Sequence, residues 1–203
     1  RQFLVEHVSK TGGHLASNLG AVELTVAIHR VFDTSRDRLV FDVGHQCYIH
    51  KMLTGRREEM AGLRQYGGIA GFPKPGESVH DAFIAGHASN SVAVAVGMVQ
   101  ARAALGQDYQ VAALIGDGAL TGGLAYEGLS NGGQCGQQLL VILNDNGMSI
   151  DRNVGAVARH LAQQRLKPQY LSFKQGYRRF MGATWLGRKI YRMTHSVKKA
   201  LKQ

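Results

Sequence analysis

Two short polar segments, each following an apolar run, carry the residues with the clearest chemistry. The first is Gly116-Asp117-Gly118, and the second is Asn144-Asp145-Asn146, which begins 28 residues after Gly116. A glycine turn that opens a helix offers N–H groups and a positive dipole end to a phosphate. Asp117 would repel a bare diphosphate, and a divalent cation bridging carboxylate and phosphate oxygens removes that conflict. The pair predicts a magnesium–diphosphate site with Asp117 and the Asn146 amide oxygen as metal ligands.

The elements that must position these segments form a strand–helix–strand unit. Residues 111–115 and 139–143 are apolar runs that predict buried strands. Between them, residues 121–132 have apolar positions at helical spacing, and Gly132-Gly133 predicts the end of that helix. Both polar segments then follow the carboxyl ends of strands, where open parallel sheets bind ligands. With 26 glycines and 44% hydrophobic residues, we expect an α/β fold with a doubly wound, mostly parallel sheet.

Other glycine-rich or acidic motifs fit these segments less well. The chain has no G-x-x-x-x-G-K-[ST] sequence, which excludes a nucleotide P-loop. The spacing of Gly116, Gly118 and Gly122 is one residue too long for the dinucleotide fingerprint. The segment after residue 143 lacks the EF-hand ligand order. The remaining alternative is a glycine-rich turn in which Asp117 only caps a helix.

Three Gly-His pairs place His14, His45 and His87 beside apolar runs. Histidines at strand ends can transfer protons near neutral pH and bind anionic groups. The alternative for each is a histidine that satisfies a loop carbonyl. Close to the third pair, Ser89 or Ser91 is predicted to cap a helix that runs from Val92 to about residue 105.

A local basic cluster consists of Lys51, Arg56 and Arg57. It faces either a phosphate or solvent, and the sequence alone leaves both readings open.

Charge is unevenly distributed along the chain, whose net charge is +10. All 14 acidic residues lie within residues 1–151, whereas residues 152–203 contain 13 Lys and Arg and no acid. Aromatic residues are interleaved with these basic ones. We interpret the segment as solvated and mobile, with a partner in sequence outside this chain. Binding to nucleic acid or to an anionic membrane surface is the alternative.

Cysteine content and hydropathy point to a reducing cytosol. Cys47 and Cys135 are too few for a disulfide framework, and no ligand spacing indicates zinc. The longest apolar run, residues 92–99, is too short to span a bilayer. We therefore expect a cytoplasmic protein with no membrane partner.

The sequence around the two polar segments resembles the transketolase-like thiamine-diphosphate enzymes, and among them the 1-deoxy-D-xylulose-5-phosphate synthase family. The matching stretches are residues 12–32, 41–57, 67–78, 85–98, and the block from the glycine turn to residue 156. The resemblance implies the thiamine-diphosphate-binding fold, with thiamine diphosphate and Mg²⁺ as cofactors. It implies Asp117, the Asn146 side chain and the Met148 carbonyl as metal ligands, with the N–H groups of Gly118 and Ala119 on the diphosphate.

The same resemblance assigns roles to the histidines and to the loop around the third Gly-His pair. His45 and His87 would lie near the thiazolium and substrate, and His14 near the acceptor aldehyde or its phosphate. The remaining residues implied to contact the cofactor are Gly86, Ala88, Ser89 and Gly116. This chain has Ala88 and Asn90 where the family's GHSSTS stretch has Ser and Thr, so the hydrogen bonding there differs.

By resemblance, the reaction condenses pyruvate with glyceraldehyde 3-phosphate, releases CO₂ and yields a precursor of isoprenoids, thiamine and pyridoxal. Residues 1–160 would form the diphosphate-binding domain and residues 161–203 a basic segment of it. The pyrimidine-binding and C-terminal domains of the family's homodimer lie outside this sequence. We therefore expect the chain alone to bind the cofactor weakly and to be inactive. Nucleic acid is not expected as a partner. The alternatives are the amino-terminal subunit of a split transketolase, and a non-enzymatic fragment whose basic segment binds nucleic acid or lipid.

Overall fold

A computed structural model describes residues 1–145 and residue 156. The chain divides into two units, Arg1–Asn153 and Val154–Gln203, and all elements named below belong to the first. Asn146, Met148 and the segment 161–203 lie outside the described residues. The roles expected of them stay predictions.

In the described part of the chain, three helices precede the first strand, and further helices separate each strand from the next. The α-helices are α1 (Gln2–Thr11), α2 (Leu15–Gly20), α3 (Val22–Val31), α4 (Tyr48–Lys51), α5 (Ser91–Ala104) and α6 (Gly123–Gln134). The strands are β1 (Arg38–Phe41), β2 (Val111–Gly116) and β3 (Leu140–Asn144). A π-helical turn, Met52–Arg56, and two 3₁₀ helices, Glu58–Gly62 and Ala119–Thr121, complete the set.

The three strands form one parallel sheet in the order β1-β2-β3. Phe41 pairs with Leu114 across β1 and β2, and Gly116 pairs with Asn144 across β2 and β3. All three strands therefore end at the same edge of the sheet. This arrangement confirms the α/β class and the positions of both strands of the predicted strand–helix–strand unit. The burial predicted for the second strand was wrong, because among the described residues Leu140 is exposed and the rest of β3 is only half-buried.

Strands β1 and β2 are covered on both faces, which explains why they are continuously apolar, whereas β3 is only partly buried. One face contributes Leu39, Phe41 and Leu114 to a core shared with α1, α3 and α4. Helix α5 contacts β1 and β2, and the alternate side chains of those strands face the other way. Val111–Ile115 are all buried, as expected for a parallel strand with helices on both sides.

Helix α6 follows the predicted position but continues past the predicted stop. It passes through Gly132 and Gly133 and ends at Gln134. The break comes at Gly136, whose φ of 64° is the left-handed conformation that glycine adopts easily after a helix. The stop assigned to Gly132-Gly133 was therefore wrong, because neither of these glycines has a positive φ.

Within the described residues, no helix is long and apolar enough to cross a membrane.

Candidate cofactor site

A cavity of about 410 Å³ opens at the carboxyl edge of the sheet, within the usual size range of small-molecule sites. We call it the carboxyl-edge cavity. Its lining comes from α2, from the ends of the three strands and the turns that follow them, and from the loop before α5: Ser17, Asp42, Val43, His45, Gln46, Ala88, Ser89, Gly116, Asp117, Gly118, Ala119, Thr121, Gly122 and Asn144. Seven of the residues expected at the cofactor thus line one cavity: His45, Ala88, Ser89, Gly116, Asp117, Gly118 and Ala119.

The glycine turn joins β2 to the helical turn that precedes α6. Strand β2 ends at Gly116, Asp117 is half-buried, and a 3₁₀ helix begins at Ala119. A Cβ built on Gly116 meets no atom within 4 Å, so this glycine leaves open space beside the turn. The first N–H groups of a helical turn have no partner inside it. The turn therefore offers backbone donors and one carboxylate to the same cavity.

The loop after β1 forms a second wall and is tightly folded. Asp42 is buried, and the Gly44 N–H donates to the Asp42 carbonyl to close a γ-turn around Val43. Val43 has a φ of 57°, a conformation that β-branched residues adopt only under constraint. The turn directs the chain so that His45 and Gln46 line the cavity.

The loop before α5 is attached to both neighbouring loops. The N–H groups of Ser89 and Ser91 donate to the two oxygens of the Asp42 carboxylate, at 2.8 and 3.0 Å. The Ser89 hydroxyl donates to the Ala119 carbonyl at 2.7 Å. The prediction that Ser89 or Ser91 caps α5 was wrong, because Asp42, from the loop after β1, accepts from the N–H groups there.

Two non-glycine residues with positive φ line the cavity. Ser89 has a φ of 72°, and Val43 is the other. Such conformations cost on the order of 1–3 kcal/mol each and persist where the surroundings enforce them, often at functional sites. Their joint presence here supports a functional role for the carboxyl-edge cavity.

Two histidines of the predicted site, His45 and His14, lie beside each other. Their ring centroids are 5.2 Å apart. Burial, together with the neighbouring His14, lowers the pKa of His45, and burial, together with Arg64, lowers the pKa of His14. The His45 Nδ1 atom is buried without a hydrogen-bond partner among the described residues. A neutral ring with an unpaired nitrogen is suited to hydrogen-bond a ligand.

Three other described residues of the predicted site lie outside the cavity lining. Gly86 and His87 are exposed, and the His87 carbonyl accepts a hydrogen bond from the Val43 N–H at 3.3 Å. His14 is also exposed and does not line the cavity. Their proposed contacts with cofactor and substrate stay predictions.

The basic residues Lys51 and Arg56 face neither a phosphate nor solvent. Both are buried: Lys51 pairs with Glu77 at 2.6 Å, and Arg56 pairs with Asp81 at 2.7 Å. Asp81 also contacts His50 at 3.0 Å. The expectation of a phosphate or solvent partner was therefore wrong for these two. Arg57, the third of the set, lies over the Phe3 ring at 4.6 Å.

Sequence reasoning missed Asp42 and Asp81 as organising residues. Asp42 had one available signal, because it directly follows an apolar run that forms a strand. Asp81 had none, because the side chains that it pairs with, those of Arg56 and His50, lie 25 and 31 residues away in sequence.

The residues at the turn are chemically suited to magnesium even though they do not form a complete ligand cage. Within residues 1–145 and 156, no group of three or more His, Cys, Asp and Glu could hold a metal ion. Magnesium, however, commonly uses one or two carboxylates together with phosphate oxygens and water. Asp117 provides such a carboxylate beside an open glycine turn. The unpaired Gln46 Oε1 and His45 Nδ1 further indicate a polar ligand in the cavity.

An open parallel α/β sheet with a Gly-Asp-Gly turn and a cavity at its carboxyl edge places the chain among the α/β proteins that bind ligands at the carboxyl ends of parallel strands. Comparison with known sequences identifies the family. Residues 1–203 match the family described as 1-deoxy-D-xylulose-5-phosphate synthase, and the chain belongs to it. The match includes the basic segment 161–203.

Individual relatives agree with this assignment. The chain is 50% identical over 202 residues to the 1-deoxy-D-xylulose-5-phosphate synthase of Pelotomaculum thermopropionicum, covering 100% of this chain and 32% of that protein. It is 61% identical over 163 residues to the synthase of Thiobacillus denitrificans, covering 80% of this chain and 26% of that protein. The chain thus spans about a third of the length of these curated relatives.

Proposed function

We propose that this chain binds magnesium and thiamine diphosphate as part of a 1-deoxy-D-xylulose-5-phosphate synthase. The reaction would join pyruvate and glyceraldehyde 3-phosphate to give 1-deoxy-D-xylulose 5-phosphate and CO₂. One observation carries the proposal: the carboxyl-edge cavity unites the Asp117 turn, the end of β3, His45 and Ser89. The family match supplies the identity of the reaction.

Each wall of the cavity has a distinct task in this proposal. Asp117 would hold the metal together with Asn146 and the Met148 carbonyl, and the N–H groups of Gly118 and Ala119 would bind the diphosphate. When bound, thiamine diphosphate supplies the nucleophilic carbon and the electron sink that decarboxylation requires. The protein supplies anchoring and orientation.

The histidines would handle protons and the acceptor. His45 and His87 would lie near the reacting carbon, and His14 near the acceptor aldehyde or its phosphate. The lowered pKa values of His14 and His45 keep both rings neutral near pH 7, so each can accept a proton.

The proposal assigns residues 1–160 to the diphosphate-binding domain and residues 161–203 to a basic segment of it. The group that activates the aminopyrimidine ring would come from a domain outside this sequence. We therefore expect the 203-residue chain to bind the cofactor weakly and to release no CO₂ from pyruvate. The complete protein would be a cytoplasmic homodimer that makes a precursor for isoprenoid and thiamine synthesis.

Titration calorimetry with thiamine diphosphate and MgCl₂ tests the metal assignment. Asp117→Asn removes a charged ligand worth ~1.5–3 kcal/mol, which weakens binding about 10- to 150-fold. Asp108→Asn is the control, because Asp108 pairs with Arg36 on the surface. Equal affinities of Asp117→Asn and the unmodified chain would refute the metal assignment. CO₂ release by the chain alone would refute its predicted inactivity.

A further inference from the structure

The loops that line the carboxyl-edge cavity are tied together through one carboxylate. Asp42 is 1% exposed, and its two oxygens accept hydrogen bonds from the N–H groups of Ser89 and Ser91. Its own N–H donates to the Leu114 carbonyl of β2 at 2.8 Å. Asp42 therefore joins the loop after β1, strand β2 and the loop before α5.

Ser89 extends this connection to the glycine turn. Its hydroxyl donates to the Ala119 carbonyl, and it occupies the space beside Gly122. A Cβ built on Gly122 would lie 2.1 Å from the Ser89 hydroxyl oxygen. The position of Ser89 is thus set by Asp42 on one side and by the Ala119–Gly122 turn on the other.

The contacts made by Asp42 and Ser89 also involve both positive-φ residues of the site, Ser89 and Val43. Ser89 receives the Asp42 contact directly at its N–H, and Val43 is the next residue after Asp42 in the chain. Without an anchor, Ser89 would relax toward negative φ, because left-handed backbone is unfavourable for a residue with a side chain. Relaxation would move the Ser89 hydroxyl away from Ala119, where the diphosphate is proposed to bind.

We propose that Asp42 is a positioning residue for the cofactor: through Ser89 it fixes the geometry of the Gly118-Ala119 donors before the cofactor arrives. This inference rests on the proposed function. Asp42 itself is not assigned any contact with the cofactor. Its contribution is preorganisation, which raises affinity by removing the cost of ordering a loop on binding.

Asp42→Asn tests the proposal, because an amide NH₂ group would face one of the two N–H donors and lose that contact. We expect the affinity for Mg²⁺–thiamine diphosphate to fall by about tenfold or more. Without ligand, amide hydrogen exchange should accelerate in residues 86–91, on the time scale of local opening. Unchanged exchange in those residues overturns the proposal whether or not the chain binds the cofactor.

Asp37→Asn is a matched control at the opposite edge of the sheet. The Asp37 carboxylate also accepts two backbone N–H bonds, from Gln110 at 2.8 Å and Asp33 at 2.9 Å. The Asp37→Asn substitution should destabilise the fold and leave the affinity for the cofactor unchanged. Equal affinity losses in both variants would show a general effect of stability and overturn the positioning role. Failure of the unmodified chain to bind refutes the proposed function instead.

Gly122→Ala displaces Ser89 from the other side and serves if Asp42→Asn does not fold. Its Cβ requires the Ser89 hydroxyl to move, while Asp42 is unchanged. We expect the same tenfold order of affinity loss. Unaltered affinity in Gly122→Ala would show that the position of Ser89 does not govern binding, and the proposal would fail.

Discussion

Replacing Asp81 with Asn should destabilise the folded chain more than any exposed charge substitution. Asp81 accepts hydrogen bonds from Arg56 at 2.7 and 2.8 Å, from His50 at 3.0 Å and from the Lys74 N–H at 2.8 Å. Burial raises the pKa of Asp81, but the hydrogen bonds from Arg56 and His50 outweigh burial and hold that pKa well below its usual range. The carboxylate is therefore charged, and Arg56 and Lys51 are buried beside it.

The expected loss of stability depends on which charged partners remain near Arg56 and Lys51 in the variant. Removing one member of a buried ion pair costs about 3–5 kcal/mol, because the other charge stays buried without compensation. Glu77 still pairs with Lys51 and lies 3.6 Å from Arg56. We therefore expect a loss of unfolding free energy at the lower end of this range, about 3 kcal/mol. For a chain of this size each kcal/mol lowers Tm by roughly 2–4 °C, so Tm should fall by about 6–12 °C.

Urea unfolding followed by circular dichroism measures the effect on stability directly. Asp108→Asn is the control, because its partner Arg36 is exposed and the pair is solvated. A loss below about 1 kcal/mol in Asp81→Asn, or an equal loss in both variants, would refute the claim that Asp81 compensates buried charge.

Stability should also depend on pH through His29, and on the close contact between α5 and α6. Burial, with smaller effects of His50 and His80, lowers the pKa of His29 from 6.5 to about 4. As the pH falls from 6.5 towards 4, only the unfolded state gains the proton, and the folded state therefore loses stability. After allowance for partial exposure, the loss of folding free energy is on the order of 1–2 kcal/mol. This loss should be smaller in His29→Gln. If the urea midpoint shifts equally between pH 7 and pH 5 in both proteins, the assignment to His29 is contradicted. Gly128→Ala should destabilise the fold by about 1–3 kcal/mol, because its Cβ would lie 2.8 Å from the Ala93 backbone nitrogen. Gly133→Ala is the control: its Cβ would meet no described atom within 4 Å, so thermal melts should show a neutral or stabilising effect.

Much of the fold could be predicted from local patterns. The apolar runs at 111–115 and 139–143 became β2 and β3, and the helix predicted from Val92 became α5. These predictions succeeded because buried parallel strands and helices impose their own periodicity on the sequence. The stop assigned to Gly132-Gly133 failed, because glycine is tolerated inside a helix; α6 ends at Gln134, shortly before Gly136 adopts a positive φ.

The candidate site was predictable where chemistry is carried by the backbone at a strand end. The Gly116-Asp117-Gly118 turn needs only its own residues and the direction of β2 to reach the carboxyl edge. The carboxyl-edge cavity unites it with Ser89 and His45. Partners that depend on packing were not predictable: the capping of α5 came from Asp42, in the loop after β1, rather than from Ser89 or Ser91.

The sequence by itself determined the α/β class, the strand-end location of the Gly-Asp-Gly turn and the family of cofactor enzymes that the chain resembles. These properties follow from residue types at short separations, where backbone geometry leaves few alternatives. Only the tertiary structure decided that Asp42 joins two loops and strand β2, and that Lys51 and Arg56 point inward to Glu77 and Asp81. A buried charge requires a compensating partner, and that partner can come from any distance along the chain. Local sequence therefore locates the Asp117 turn, whereas packing decides what holds the cavity around it in shape.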